Sequence, residues 1–194
     1  MNLNELRNKA YKCACDHGFH DDEKSNEHFL MLVISELAEA VEADRKRKRA
    51  DVESYNLLSK ASIERTVNLK YFNEVAFCHK IKDTIEDELA DAVIRLFDLA
   101  GLRKIDLDLA TENIEDSIDD MACACEDETF TESVYNISTL PARYADFYDF
   151  RTIVNDMLTS IFGLARHMDV DLPWHIETKM KYNELRDAKH GKKY

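Results

Sequence analysis

Between Phe29 and Glu42 the chain reads FLMLVISELAEAVE, a helical pattern that carries two acids into its own apolar side. At ~100° per residue, Glu36 and Glu39 stand about 60° apart, among Phe29, Leu32, Val33, Ala40 and Ala43. A second stretch, Ile81 to Ala100 (IKDTIEDELADAVIRLFDLA), repeats the arrangement, with Glu88 and Asp91 on the side of Ile81, Ile85, Ala92 and Leu99. Two such faces packed together bring four acids to one place, where uncompensated burial costs several kcal/mol per ion. A divalent cation is the natural compensation, and oxygen ligands favour Mg²⁺ or Mn²⁺ over zinc. Spacing alone is a weak signal, because 39 of 194 residues are Asp or Glu. Pairs such as Glu112/Glu115 and Asp116/Asp119 arise by chance and read as solvated acidic faces. The apolar setting sets the first two pairs apart.

SELAEAVEA followed by EDELADAVIRL resembles the MazG-like, all-α nucleoside triphosphate pyrophosphohydrolases, whose signature is an ExxE on one helix and an ExxD on a later one. The resemblance implies an all-α helical bundle with extra inserted helices, assembled as a homo-oligomer (dimer or tetramer). It also implies Mg²⁺-dependent hydrolysis, with Mn²⁺ as a substitute, of a nucleoside triphosphate to the monophosphate and pyrophosphate. Glu36 and Glu39 match the ExxE, and Glu88 and Asp91 the ExxD, which makes these four the metal ligands, one glutamate being available as the base.

The end of the chain, KMKYNELRDAKHGKKY from Lys179, resembles the family's nucleotide-holding tail. Lys179, Asn183 and Arg186, at offsets of four and seven, then serve phosphate and sugar. Lys192 and Lys193 close over the nucleotide, with Tyr194 stacking on the base. Without the resemblance the same residues read as a solvated polar face and a frayed terminus. Arg95, four residues after Asp91, has three readings: an i,i+4 ion pair, a partner for a ligand carboxylate, or a phosphate contact. The chain departs from the family in Ser35, which stands where the fuller EExxE form has its leading Glu, and in its long linking regions. The alternative function is a non-catalytic scaffold or sensor that keeps the metal- and nucleotide-binding face.

Four Gly and two Pro leave few turns and favour helices over a many-stranded fold. One domain over residues 1–194 is expected, elaborated at about 51–80 and 102–150. The sequence shows no signal peptide and no 18-residue apolar span, so a cytoplasmic protein with no membrane partner is expected. A net charge of −13 argues against a stable nucleic-acid partner. The basic run Arg45 to Arg49 reads as the end of a helix, complementing its dipole, or as an attractor for triphosphate. Five cysteines, two C-x-C pairs plus Cys78, are an odd count without a secretory signal and read as reduced thiols; a Cys₄ zinc site from the two pairs is the lesser reading, since C-x-C within helical sequence points its thiols to different sides. Neither a Walker A loop nor the Glu-x-x-His of a di-iron bundle occurs.

Along the chain, helices are expected over Leu3 to Cys13, behind a Ser25 or Asn26 cap, and behind Asp51. Asn68 to Ile81 reads as a bent helix or a packed loop. Gly101 is expected as the residue just past the second acidic helix, followed by a helix over Asp106 to Glu126. Pro141 is expected to interrupt the next section, leaving a short helix near Ser133 to Ser138. Helices over Thr152 to His167 and Leu172 to Lys189 close the chain, with Trp174 and His175 as packing and surface residues. His28 reads as a partly exposed histidine within reach of a nucleotide. A register that sets Asp91 on Asp156 also sets Phe97 on Phe162, Leu99 on Leu164 and Asp106-Leu107 on Asp171-Leu172, while Glu88 falls on Ile153. This suggests a duplication whose second copy has lost its metal chemistry.

Overall fold

The computed structural model describes residues 2–64, 69–107 and 114–187. Among them the chain forms nine α-helices and no strand: α1 (Leu3–Asp16), α2 (Asn26–Arg45), α3 (Val52–Glu64), α4 (Leu69–Lys80), α5 (Ile85–Leu102), α6 (Ile114–Ala124), α7 (Phe130–Tyr144), α8 (Phe150–His167) and α9 (Leu172–Asn183). No helix among the described residues is long and apolar enough to cross a membrane.

Helix α5 is the axis of the bundle. Leu89, Ala90, Ala92, Val93, Leu96, Phe97, Leu99 and Ala100 are fully buried, because α1, α2, α8 and α9 all pack against it. Helix α8 occupies a comparable position among α5, α6 and α7, and α3 and α4 pack against each other. The starts of the main helices are fixed by side-chain caps. Ser25 accepts from the His28 N–H, Thr84 from Asp87, Asp149 from Thr152 and Asp171 from Trp174.

The proposed duplication has a physical counterpart. Helices α5 and α8 are both 18 residues long and begin and end at corresponding positions of the register. Their exits also match. Lys104 and Asp169 take left-handed φ of 55° and 57°, and the next N–H reaches back to a helix carbonyl, Ile105 to Ala100 at 2.8 Å and Val170 to Ala165 at 2.9 Å. These are Schellman-type ends.

Several local expectations are corrected. Gly101 lies inside α5 rather than beyond it, and it is small because α1 crosses there: an added Cβ would meet Tyr11 Cβ at 2.5 Å. Asn68 to Ile81 is helix over Leu69–Lys80. Pro141 does not interrupt α7 but sits in its last turn. That helix runs 15 residues from a capping box in which Thr129 and Glu132 satisfy each other's backbone N–H groups. Asp106 and Leu107 are not helical, and α6 begins at Ile114, with 108–113 outside the described residues. Helix α9 ends at Asn183, short of Lys189. The cysteines are free, and within each C-x-C pair the two thiols differ in burial.

Candidate functional site

The first turn of α5 carries three consecutive acids, Glu86, Asp87 and Glu88, all buried. Each faces a different neighbour. Glu86 accepts from Arg49 Nε at 2.5 Å and from the Ala50 N–H at 3.0 Å, which pins the basic loop after α2. Asp87 points to α9, where its Oδ2 accepts from Lys179 Nζ at 2.7 Å and from the Asp83 N–H at 3.0 Å. Glu88 faces α2.

There the two acidic motifs meet. Carboxylate oxygens of Glu36, Glu88 and Asp91 all lie within 4.8 Å of one another, with Glu36 and Glu88 each 3% exposed. Among the described residues this is the one group of three or more metal-ligating side chains so gathered. Glu39 does not join it. It is exposed, because the step from Glu36 turns it toward solvent while Ala40 and Ala43 take the inward positions, and it acts on Glu36 only as a nearby like charge.

Two cations brace the cluster. Arg95 donates to Glu36 Oε1 at 2.5 Å, so of its three readings the structure gives the partner of a ligand carboxylate. Lys179 is buried between Asp87 and Asp91, at 2.7 and 2.8 Å. It serves the acids directly, and a side chain 4% exposed does not project into solvent to meet phosphate. Four carboxylates (Glu36, Asp87, Glu88, Asp91) against two cations leave a formal charge of −2.

Protonation reflects that deficit. Burial, with the charges of Asp87 and Asp91 added, pushes Glu88 up to about 8. Glu36 is also raised by burial, against the pull of Arg95. Asp87 rises to about 6 by burial, with Lys179 opposing, so the Asp87–Lys179 pair is ionised at neutral pH. Burial works to lower Lys179, but Asp91 and Asp87 outweigh it and hold the ammonium protonated. Glu88 makes no ion pair among the described residues, and Asp87 Oδ1 is buried without a hydrogen-bond partner. An all-oxygen donor set, two missing positive charges and an orphaned acceptor fit a hard divalent cation.

Beside the cluster an open cleft runs between α2, α5 and the end of α9. Asp91, Ile94 and Arg95 of α5 line it, opposite His28, Phe29 and Leu32 of α2. Asn183 and Arg186 line it too, although Arg186 lies past the end of α9, in a turn where its N–H meets the Asn183 carbonyl at 3.2 Å. Lys192, Lys193 and Tyr194 lie outside the described residues. His175, assigned to packing and surface, is buried, and burial lowers its pKa. Trp174 is half-buried, edge-on to Tyr55.

Sequence reasoning missed Asp87 and the His20–Asp98 pair (2.6 Å). Asp87 stands four residues before Asp91 and shares its face, a signal hidden by the abundance of acids. His20 and Asp98 are far apart in sequence, and no local pattern joins them.

No protein-family model, curated protein or solved structure matches the chain. The reading of the site rests on its own residues.

Proposed function

We propose that this protein is a Mg²⁺-dependent nucleoside triphosphate pyrophosphohydrolase of the MazG-like kind, cutting between the α- and β-phosphates, with Mn²⁺ able to replace Mg²⁺. The observation that carries the reading is the Glu36–Glu88–Asp91 cluster, which together with Asp87 is two positive charges short and which lies beside an open cleft. Glu36, Glu88 and Asp91 would hold the metal. A bound Mg²⁺ polarises phosphoryl oxygens and lowers the pKa of water.

The chain's own residues supply the rest. Arg95 and Lys179 fix Glu36 and Asp91 in place, so neither carboxylate is free to swing. Glu88, which has no such partner, is the one of the three that would serve as base for an attacking water in place of ligating the metal. Asn183 and Arg186 face the cleft for sugar and phosphate, and Arg's planar fork suits phosphate oxygens. A soluble cytoplasmic homo-oligomer, dimer or tetramer, is the setting we propose.

The test is pyrophosphate release from a panel of ribo- and deoxynucleoside triphosphates, with Mg²⁺ and with chelator. Metal-dependent release is expected from at least one substrate. Silence across the panel in a protein that binds Mg²⁺ by calorimetry would favour the sensor reading, in which the internal pairing of Lys179 and Arg95 lets the cluster bind without turnover. Absence of Mg²⁺ binding would remove the site itself.

A further inference from the structure

The cleft runs along α5 from Asp91 through Ile94 and Arg95 to Asp98. At ~1.5 Å per residue, Asp98 lies about 10 Å from the metal-facing end, the reach that separates a nucleotide's phosphates from the edge of its base. This placement rests on the nucleotide reading of the cleft given above.

Asp98 is an acid held in place. Its Oδ1 meets His20 Nε2 at 2.6 Å, with the two side chains 15% and 10% exposed. His20 is itself fixed between the rings of Tyr11 and Phe29, at centroid distances of 5.3 and 5.6 Å. Among the described residues Oδ2 of Asp98 has no hydrogen-bond partner, while the residue lines the cleft. Asn183 is on the lining as well, 8% exposed, with its Oδ1 buried and unpartnered. Both are hydrogen-bond acceptors in need of a donor, set among the apolar side chains of Phe19, Leu32, Ile94 and Met180.

Packing does not call for an acid here. The matching position in α8 is Gly163, where helix closes on helix so tightly that a Cβ would meet Met121 Cβ at 2.3 Å. In α5 the corresponding level is open, and a carboxylate faces the opening.

We propose that Asp98, anchored by His20, reads the base, and that the cleft selects nucleotides whose base presents an exocyclic amino group over those presenting a carbonyl at the same place. An ionised carboxylate only accepts hydrogen bonds. Cytosine and adenine offer an amino donor where thymine offers an oxygen. A carbonyl set against Asp98 opposes two acceptors and leaves buried polar groups unpaired, which a polar site rejects strongly.

The experiment uses matched pairs that differ by amino against oxo: dCTP with dUTP, and dATP with dITP. Binding of their α,β-methylene analogues is measured by calorimetry in Mg²⁺, and pyrophosphate release is measured separately with the natural nucleotides. The amino member of at least one pair is expected to bind about tenfold tighter or more. Asp98→Asn, whose amide can turn its N–H₂ toward a carbonyl, is expected to collapse that ratio. Equal binding within both pairs by the unaltered protein overturns the proposal and needs no variant. A ratio that survives in a folded Asp98→Asn protein overturns it as well. Discrimination without pyrophosphate release supports Asp98 as base reader while sinking the hydrolase reading, and failure of all four analogues to bind sinks both.

Discussion

Helices α5 and α8 share one frame, in length and in their ends, and the α2–α5 and α6–α8 pairs differ in what they enclose. In the first, Glu88 and Asp91 meet Glu36 and are braced by Arg95 and Lys179. In the second, Ile153 is buried where Glu88 would stand, and Asp156 is left partly exposed, raised only by burial. The second pair closes at Gly163, whereas the first opens into the cleft at Asp98. The difference teaches that the frame needs neither the acids nor the opening. Buried acids cost stability, and the proposed metal site is what they would serve.

Making the first copy resemble the second is the strongest way to break the comparison. Glu88→Ile, which copies Ile153, is expected to lower metal-dependent pyrophosphate release by about 10³-fold or more, since the electrostatic contributions of such sites are of that size. It should at the same time raise the melting temperature of the metal-free protein. Loss of the fold instead of the activity would mean that Glu88 is structural.

Removing a brace should come next in effect. Lys179→Met leaves Asp87 and Asp91 buried without their cation, a change expected to cost about 3–5 kcal/mol in urea unfolding. The corresponding test of the second copy is Gly163→Ala. Its Cβ would run into Met121 Cβ at 2.3 Å and the Met121 backbone at 2.8 Å, an overpacking worth about 1–3 kcal/mol. Asp98→Ala, at the matching open level, meets no steric clash, but it leaves the buried His20 without its partner at 2.6 Å, a loss expected to cost about 1–3 kcal/mol.

The sequence already separated these two halves, though unevenly. The acids of Glu36, Glu88 and Asp91 were legible because they interrupt strong helical periodicity, and the matching ends of α5 and α8 were legible as a repeat. Glu39 was not distinguishable from Glu36 on spacing, since 60° of helix is a small step in sequence terms and decides between core and solvent. The spacing of Lys179, Asn183 and Arg186 suits phosphate contacts, and it does not show that α9 docks on α5 deeply enough to bury Lys179 on Asp87 and Asp91. Pro141 and Gly101 misled for a shared reason: a residue that usually ends a helix also serves inside its last turn, or where a neighbouring helix passes close.

The metal-free protein offers a milder probe. Glu88 is raised from 4.5 to about 8, so the folded state holds its proton more tightly than the unfolded chain. The resulting stabilisation is complete below about pH 4.5 and is lost as pH rises through about 8. Thermal melts of metal-free protein should therefore show a declining contribution across that window that Mg²⁺ restores and that Glu88→Ile abolishes. A flat difference between the two proteins over this range would refute the assignment. The smallest effect concerns the shared helix ends. Lys104→Gly and Asp169→Gly each relieve a left-handed backbone, worth up to about 1 kcal/mol, and by the repeat should stabilise by similar amounts in chemical denaturation.

The three acids at the start of α5 carry one more implication. Glu86 holds a loop, Asp87 holds another helix through Lys179, and Glu88 faces the carboxylate cluster. Because they are consecutive, their assignments are set only by phase, each rotated about 100° from the next. A single-residue insertion between Glu88 and Leu89 would leave the charges in place yet rotate all three acids about 100° against the apolar face of α5, handing each its neighbour's post. Position along the helix, more than charge, therefore decides what each of these acids does.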